Sequence, residues 1–439
     1  MSWRTIGEAA RKSSANWRRY LRSVSHTPAH FACVRPRFFG LLCGLRRVPC
    51  TQSAPRYLCR MQDSLPPRLR VALVVASLRI LGGQSVQAQR LLERWQGDPA
   101  VDAWIVPIDP APPAPFDRLL RIKYLRTVVT QLCYWPLLFR ELRRADVVHA
   151  FSASYSSFLL APLPAVVVAK LLGKPVILNY HSGEAPDHLR RSAIARFVMR
   201  HVVDANVVPS AFLRDVLSSF DMGADVVHNT IDVRPFAFRS RDPLRPRLLC
   251  TRNLEPMYNV SCVLRAFTRI QQHYPDATLT LVGGGSQEAA LRAQAAALDL
   301  RNVTFVGRVP PSEIPRYYAD ADIYVQAPSI DNMPLSVLEA FASGMPVVST
   351  NAGGVPSILR HGVDGLLVQE NADDEMAARV LDLLRDPVFA RGLALSAHHT
   401  LAAYDWPIVR EEWLRAYRRV AGRRLEQMAP VTAAPSNPA

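Results

Sequence analysis

At 439 residues and 49% hydrophobic, the chain is too long for one ordinary domain and apolar enough for two well-packed cores. Its formal charge of +16 would suit a nucleic-acid binder, but residues 1–70 hold 14 Lys and Arg against only Glu8 and Asp63. That extension carries +12 and the rest of the chain only +4. A basic body built around nucleic acid is argued against, and no nucleic-acid partner is expected.

Residues 1–66 read by composition as a basic, disordered extension. Two other readings stay open: an Arg-rich, acid-poor targeting or surface-binding segment, and a chain whose true start is Met61, just ahead of the first strand. Cys33, Cys43, Cys50 and Cys59 lie in the extension and Cys133, Cys250 and Cys262 in the body, with no pair at metal or redox spacing. Scattered cysteines, without an apolar stretch leading to a small-residue cleavage site, predict a reducing, cytoplasmic location. The longest apolar run, Phe158–Ala169, contains Pro162 and Pro164 and falls short of the ~20 residues that span a bilayer, so no transmembrane helix is expected.

From Leu69 onward, short β-branched runs alternate with helix-like stretches, the pattern of parallel sheets joined by crossover helices. Strands are expected at 71–75, 104–107, 147–150, 176–180, 206–208 and 226–228. After the Pro- and Arg-rich stretch 233–247 the series restarts at 248–251, 278–282, 303–306, 323–326, 347–350 and 366–368. The fold class is therefore α/β, with two doubly wound domains. Such sheets bind ligands beyond the carboxyl ends of their strands. The residues there are Gly82 and Gly83, His181 to Glu184, Arg252, and Gly283 to Gly285. Each has a bland explanation as a tight turn, a structural histidine or a solvated arginine, but their common placement points to one cleft.

Within residues 329–356, SIDNMPLSVLEAFASGMPVVSTNAGGVP, Pro334 suits the first position of a helix, which makes Met333 its N-cap. Methionine has no oxygen for the N–H groups of Leu335 and Ser336, so these donors and the helix dipole are free for an anion such as a diphosphate. Ser336, Glu339 and Ser343 fall on one face at i, i+3 and i+7, while Val337, Leu338, Phe341 and Ala342 form the apolar face. Glu339 is thus expected on a polar stripe away from the core, one turn from the anion, where an acceptor-only carboxylate suits paired hydroxyls such as those of a ribose.

The stretch Asp331–Gly354 resembles the donor signature of retaining glycosyltransferases of family four, in which two acids flank seven residues ahead of a small-Gly-x-Pro-Val-Val run and a Gly-Gly loop. Here these are Asp331 and Glu339, 343–348, and Gly353-Gly354. The resemblance runs from about Val71 to Val420 and takes in Gly82, Gly83, His181, Arg252, Gly283 and Gly285 in order. Asp405-Trp406-Pro407 and the following helix resemble the tail that crosses back to the first domain.

The resemblance implies a GT-B fold, two Rossmann-like domains facing across a cleft. Its parts are an acceptor domain at 67–235, a nucleotide-sugar domain at 236–400, a crossover helix at 401–422 and a disordered tail at 423–439. It implies a metal-independent hexosyltransferase-type enzyme with no cofactor, using a nucleotide-sugar as substrate and a saccharide or lipid-linked acceptor in surface polysaccharide or glycolipid assembly. Catalysis falls to His181, Asp331 and Glu339. Donor binding falls to Arg252, Tyr258, Gly283, Gly285, Met333, Leu335, Ser336 and Glu339, and the acceptor or phosphate loop to Gly82 and Gly83.

Two positions depart from the family pattern: Asp331 stands for the usual glutamate, and Tyr258 stands where a lysine aligns, removing one of two phosphate cations. These keep a catalytically weakened binding protein open, beside a sugar-nucleotide epimerase of the same architecture. Asp320-Ala321-Asp322 spells a metal-binding DxD but immediately precedes a strand, and no metal site is expected there. Basic and apolar residues interleaved over 117–144 predict peripheral contact with an anionic membrane.

Overall fold

The computed structural model describes residues 68–77, 83–113, 120, 122–152 and 154–428. The basic extension, Gly82 and residues 429–439 lie outside them.

The first sheet is built from β1 (Leu69–Val75), β2 (Val101–Pro107), β3 (Val147–Ser152), β4 (Val176–Tyr180), β5 (Ala205–Val208) and β6 (Asp225–Val226), in the order β2-β1-β3-β4-β5-β6. The second uses β7 (Arg247–Cys250), β8 (Thr278–Val282), β9 (Val303–Gly307), β10 (Ile323–Gln326), β11 (Val347–Thr350) and β12 (Leu366–Val368), in the order β12-β11-β10-β7-β8-β9. All pairings within both sheets are parallel, with registers such as Val71↔Val147 and Tyr324↔Val347. Continuous apolar runs such as VALVV in β1 suit this arrangement, because helices cover both faces of a parallel sheet and every side chain is buried. Separate apolar clusters line the two faces of each sheet.

The helices that bear on function are α1 (Gly83–Trp95), α2 (Lys123–Leu142), α3 (Pro162–Leu171), α4 (Ile314–Asp320), α5 (Leu335–Ala342) and α6 (Trp406–Met428). Helix α6 lies on the first sheet although it follows the second in sequence. Val409, Trp413, Tyr417 and Val420 are buried in one cluster with Val71, Leu73, Val75 and Trp95. Arg410 Nε pairs with Asp98 Oδ2 at 2.6 Å, and Arg419 pairs with Asp225. The helix continues to Met428, six residues into the segment 423–439 read above as a disordered tail.

The stretch 233–247 is not a free connector. Arg241 is buried, donating to Tyr318 O at 2.9 Å, Arg239 O at 2.8 Å and Ser343 O. Burial first, then repulsion from Arg239, lowers its pKa to about 10 against the pull of Asp322. Asp322 itself is buried and paired with Arg239 at 2.6 Å. The DxD sequence is therefore part of this arginine clasp, and no cluster of His, Cys, Asp and Glu among the described residues is arranged to hold a metal. No helix among them is long and apolar enough to cross a membrane.

Candidate active site

In the second sheet the strand order reverses between β7 and β10, and the crevice beyond that reversal is where open α/β sheets place ligands. Arg252 follows β7 and Asp331 follows β10, so the topology alone brings them together. Arg252 Nη2 donates to Asp331 Oδ2, and its Nη1 donates to Ser336 Oγ at 3.1 Å. Both partners of the ion pair are about nine-tenths buried. The guanidinium carbon lies 4.1 Å from the centre of the Tyr258 ring. Burial works against the Arg252 charge, but Asp331 and the neighbouring tyrosines outweigh it and hold the guanidinium firmly protonated.

Helix α5 begins at Leu335, not Pro334. Pro334 has ψ 106°, an extended value, and is itself the N-cap; Met333 is buried in the second domain's core and caps nothing. The correction moves the helix start by one residue and leaves its chemistry intact, since proline also lacks a capping oxygen. Val337 N bonds back to Pro334 O at 3.1 Å, and no side chain caps the turn. The Leu335 and Ser336 amides meet no acceptor among the described residues.

Glu339 does not lie on a solvated stripe. Ser336 and Ser343 are buried, and Tyr318 of α4 covers the carboxylate, donating from its hydroxyl to Oε2 at 2.9 Å. Desolvation pushes the carboxyl up to about 7, against the opposing pull of Tyr318, Arg90 and Arg252. Thr251 Oγ1 lies 2.6 Å from the same tyrosine hydroxyl. Glu339 and Arg252 are thus held within one polar pocket under the start of α5.

From the first domain, His181 follows β4, its ring stacked 5.6 Å from Phe151. Burial lowers its pKa to about 4, so it is a neutral imidazole at neutral pH, and Nε2 has no partner among the described residues. The two domains touch beside it: Ser210 Oγ donates to Asn332 Oδ1, and a Cβ at Gly183 would sit 2.8 Å from Ile330 Cγ2. Gly83 opens α1. Gly283 and Gly285 pack against the Arg252 loop, where a Cβ would fall 2.1 Å from Arg252 O and 2.2 Å from Leu254 O.

Two family models match consecutive stretches of the chain across these domains. "Glycosyltransferase Family 4" covers residues 81–234 and "Glycosyl transferases group 1" covers residues 237–399. The chain belongs to glycosyltransferase family 4. The sulfoquinovosyl transferase SQD2 of Arabidopsis thaliana is 26% identical over 64% of this chain and 59% of its own length. A GDP-mannose-dependent alpha-(1-6)-phosphatidylinositol monomannoside mannosyltransferase of Mycolicibacterium smegmatis is 29% identical over 42% of this chain and 50% of its own. The chain thus spans between half and two thirds of these relatives. Anabaena HepE, solved with UDP, superposes with a TM-score of 0.64 at 16% identity over 80% of this chain and all of that one, a likeness of fold. None of these names supports the epimerase reading.

The structure brings Arg252, Ser336 and Asp331 into contact, with Glu339 one turn further along α5, and Tyr258 makes its contact with Arg252 through the ring face. The residues that sequence reasoning missed are Tyr318, which donates to Glu339, Thr251, which bonds the same tyrosine hydroxyl, and Gln326. Its Oε1 accepts from Ser336 Oγ at 3.4 Å, while its Nε2 donates to Ser349 at 3.0 Å. Tyr318 lies in an aromatic helical run, IPRYYAD, with no signal separating it from a core residue. Gln326 could have been flagged as a fully buried polar residue closing an apolar strand, since such a group needs partners.

Proposed function

We propose that this protein transfers a sugar, with retention of configuration, from a nucleotide-sugar to a saccharide or lipid-linked acceptor in surface polysaccharide or glycolipid assembly. The observation that carries the reading is the convergence of Arg252, Asp331 and Ser336 at the uncapped start of α5, one turn from Glu339. The free amides of Leu335 and Ser336, with Arg252, bind the diphosphate and stabilise it as it leaves. The Glu339 carboxylate accepts from the ribose hydroxyls. Asp331 takes the hydroxyls of the transferred sugar once the diphosphate has drawn Arg252 away from it. Neutral His181 offers Nε2 to the sugar from the acceptor side.

The donor-side chemistry tests this directly. The full chain is incubated with UDP-, GDP- and ADP-sugars, with and without lipid-linked and saccharide acceptors. Nucleotide release that depends on an acceptor is expected; conversion of the donor without one would overturn the reading.

The enzyme works as a peripheral protein of the cytoplasm at an anionic membrane surface. Helix α2 supports this, being apolar on two sides. Tyr134, Leu138 and Leu142 are buried in one cluster with Ala72, Val74 and Val148 of the sheet, while Tyr124, Val128, Leu132 and Trp135 stand exposed along a second stripe. Exposed Arg126, Arg140, Arg143 and Arg144 flank it. Leu171 of α3, which packs beside α2, adds to the apolar face.

A further inference from the structure

Helix α1 presents nitrogen donors to the cleft that the chain itself leaves unused. Gln84, Gln87, Arg90 and Arg94 follow at intervals of three, three and four, which places them along one face. Both ends of that face are anchored. Gln84 Nε2 donates to Ser152 O at 3.0 Å, at the carboxyl end of β3, and Arg94 Nη2 lies 3.9 Å from Asp232 Oδ1, in the segment leading to the second domain.

Between these anchors, Gln87 is 8% exposed, and its Nε2 is shut off from solvent with no acceptor among the described residues. Arg90 Nη1, one turn further on, is likewise shut off and unpaired. Buried N–H donors without acceptors are unfavourable, and a guanidinium is more so than an amide. A protein retains such groups where a ligand supplies the missing acceptor. Arg90 also pulls the Glu339 carboxyl down, against the desolvation that raises it.

Two donors, one of them cationic, select an acceptor-rich anion. Tyr258, stacked on Arg252, brings no charge of its own to the site. We propose that Arg90, with Gln87 beside it, binds the diphosphate of the donor from the first domain and supplies the second positive charge that Tyr258 lacks. The diphosphate is then clamped between Arg252 of one domain and Arg90 of the other, so that binding draws the two domains together. The inference rests on the nucleotide-sugar reading above.

Calorimetry of the full chain with a nucleoside, its monophosphate and its diphosphate, in the base series the wild type prefers, tests it. Arg90→Gln is expected to bind the nucleoside as wild type does and to weaken the diphosphate by about tenfold to 150-fold, the range for a hydrogen bond to a charged group. Arg90→Lys should recover part of the loss, and the loss should shrink at high salt. A diphosphate affinity unchanged in Arg90→Gln overturns the inference while leaving the transferase reading intact. Equal losses for nucleoside and diphosphate overturn it too, marking a structural role. A wild-type chain that binds none of the nucleoside diphosphates removes the transferase reading, and this inference with it.

Discussion

The guanidinium of Arg252 lies 4.1 Å above the ring of Tyr258 while its two terminal nitrogens point to Asp331 and Ser336. Tyr258 is therefore a platform that orients the guanidinium. Stacking uses the ring face, so the hydroxyl is incidental. Tyr258→Phe is expected to keep nucleoside diphosphate affinity within about twofold, whereas Tyr258→Ala loses a partly desolvated cation–π contact of about 1–2 kcal/mol, or roughly five- to 30-fold in affinity. Calorimetry with the diphosphate distinguishes them, and equal losses in both variants would show that the hydroxyl matters instead.

Asp331 neutralises Arg252 in the unliganded protein, so the diphosphate must break that pair to gain the arginine. Asp331→Asn is expected to raise the affinity for free nucleoside diphosphate slightly while sharply reducing turnover, since only the intact donor has a sugar for the carboxylate to hold. Removing one member of a largely buried pair leaves the other charge uncompensated, a loss of about 3 kcal/mol. The melting temperature of Asp331→Asn should accordingly fall without ligand and recover when diphosphate is added. A variant that loses diphosphate affinity would show that Asp331 organises the phosphate site.

Glu339, shut in beneath Tyr318, carries a carboxyl pushed up to about 7 by burial. The sign follows from that direction. The folded state favours the protonated form, so the unliganded protein loses stability as pH rises from the ordinary carboxylate range through about 7. A ribose binds the ionised form, whose oxygens are free to accept. Nucleotide affinity should therefore rise with pH through about 7, with proton release on binding near or below that pH. Glu339→Gln should abolish this dependence and weaken nucleotide and nucleotide-sugar alike by about tenfold to 150-fold. Calorimetry in buffers of different ionisation heat measures both effects; a pH-independent wild-type affinity would show that ribose does not meet this carboxylate.

The sheets were legible because strands buried on both faces read as continuous β-branched runs; even the short β12 stands out as LLV between polar turns. Two strands are displaced: β7 runs Arg247–Cys250 where 248–251 is expected, and the last strand of the first sheet lies at Asp225–Val226 where 226–228 is expected, since two residues carry too little pattern to fix a register. The site was half legible. Spacing places Ser336, Glu339 and Ser343 on one face of α5, but a helical wheel does not say whether that face meets water or another helix, and it meets Tyr318. The same gap hid Arg239 and Arg241, whose Pro-rich surroundings read as a connector until Asp322 and the Ser343 carbonyl supplied partners. Whether Met333 or Pro334 caps α5 turns on one ψ angle, which no residue pattern reports.

Leu132, 70% exposed, stands at the middle of the second apolar stripe of α2. Arg140 and Arg144 share Glu141 at 3.0 and 2.5 Å, while Arg126 and Arg143 find no carboxylate among the described residues, so the face is positive overall. Inserting a leucine into an interface contributes about 1.5–3 kcal/mol when fully buried, and each basic residue near an anionic surface about 1 kcal/mol. Leu132→Glu removes the first and opposes the second, so co-sedimentation with anionic vesicles at low salt should drop by at least about tenfold, while nucleotide affinity in solution stays unchanged. Neutral vesicles should bind the wild type weakly, and high salt should release it from anionic ones. If Leu132→Glu sediments with anionic vesicles as well as the wild type does, the stripe faces something other than a bilayer.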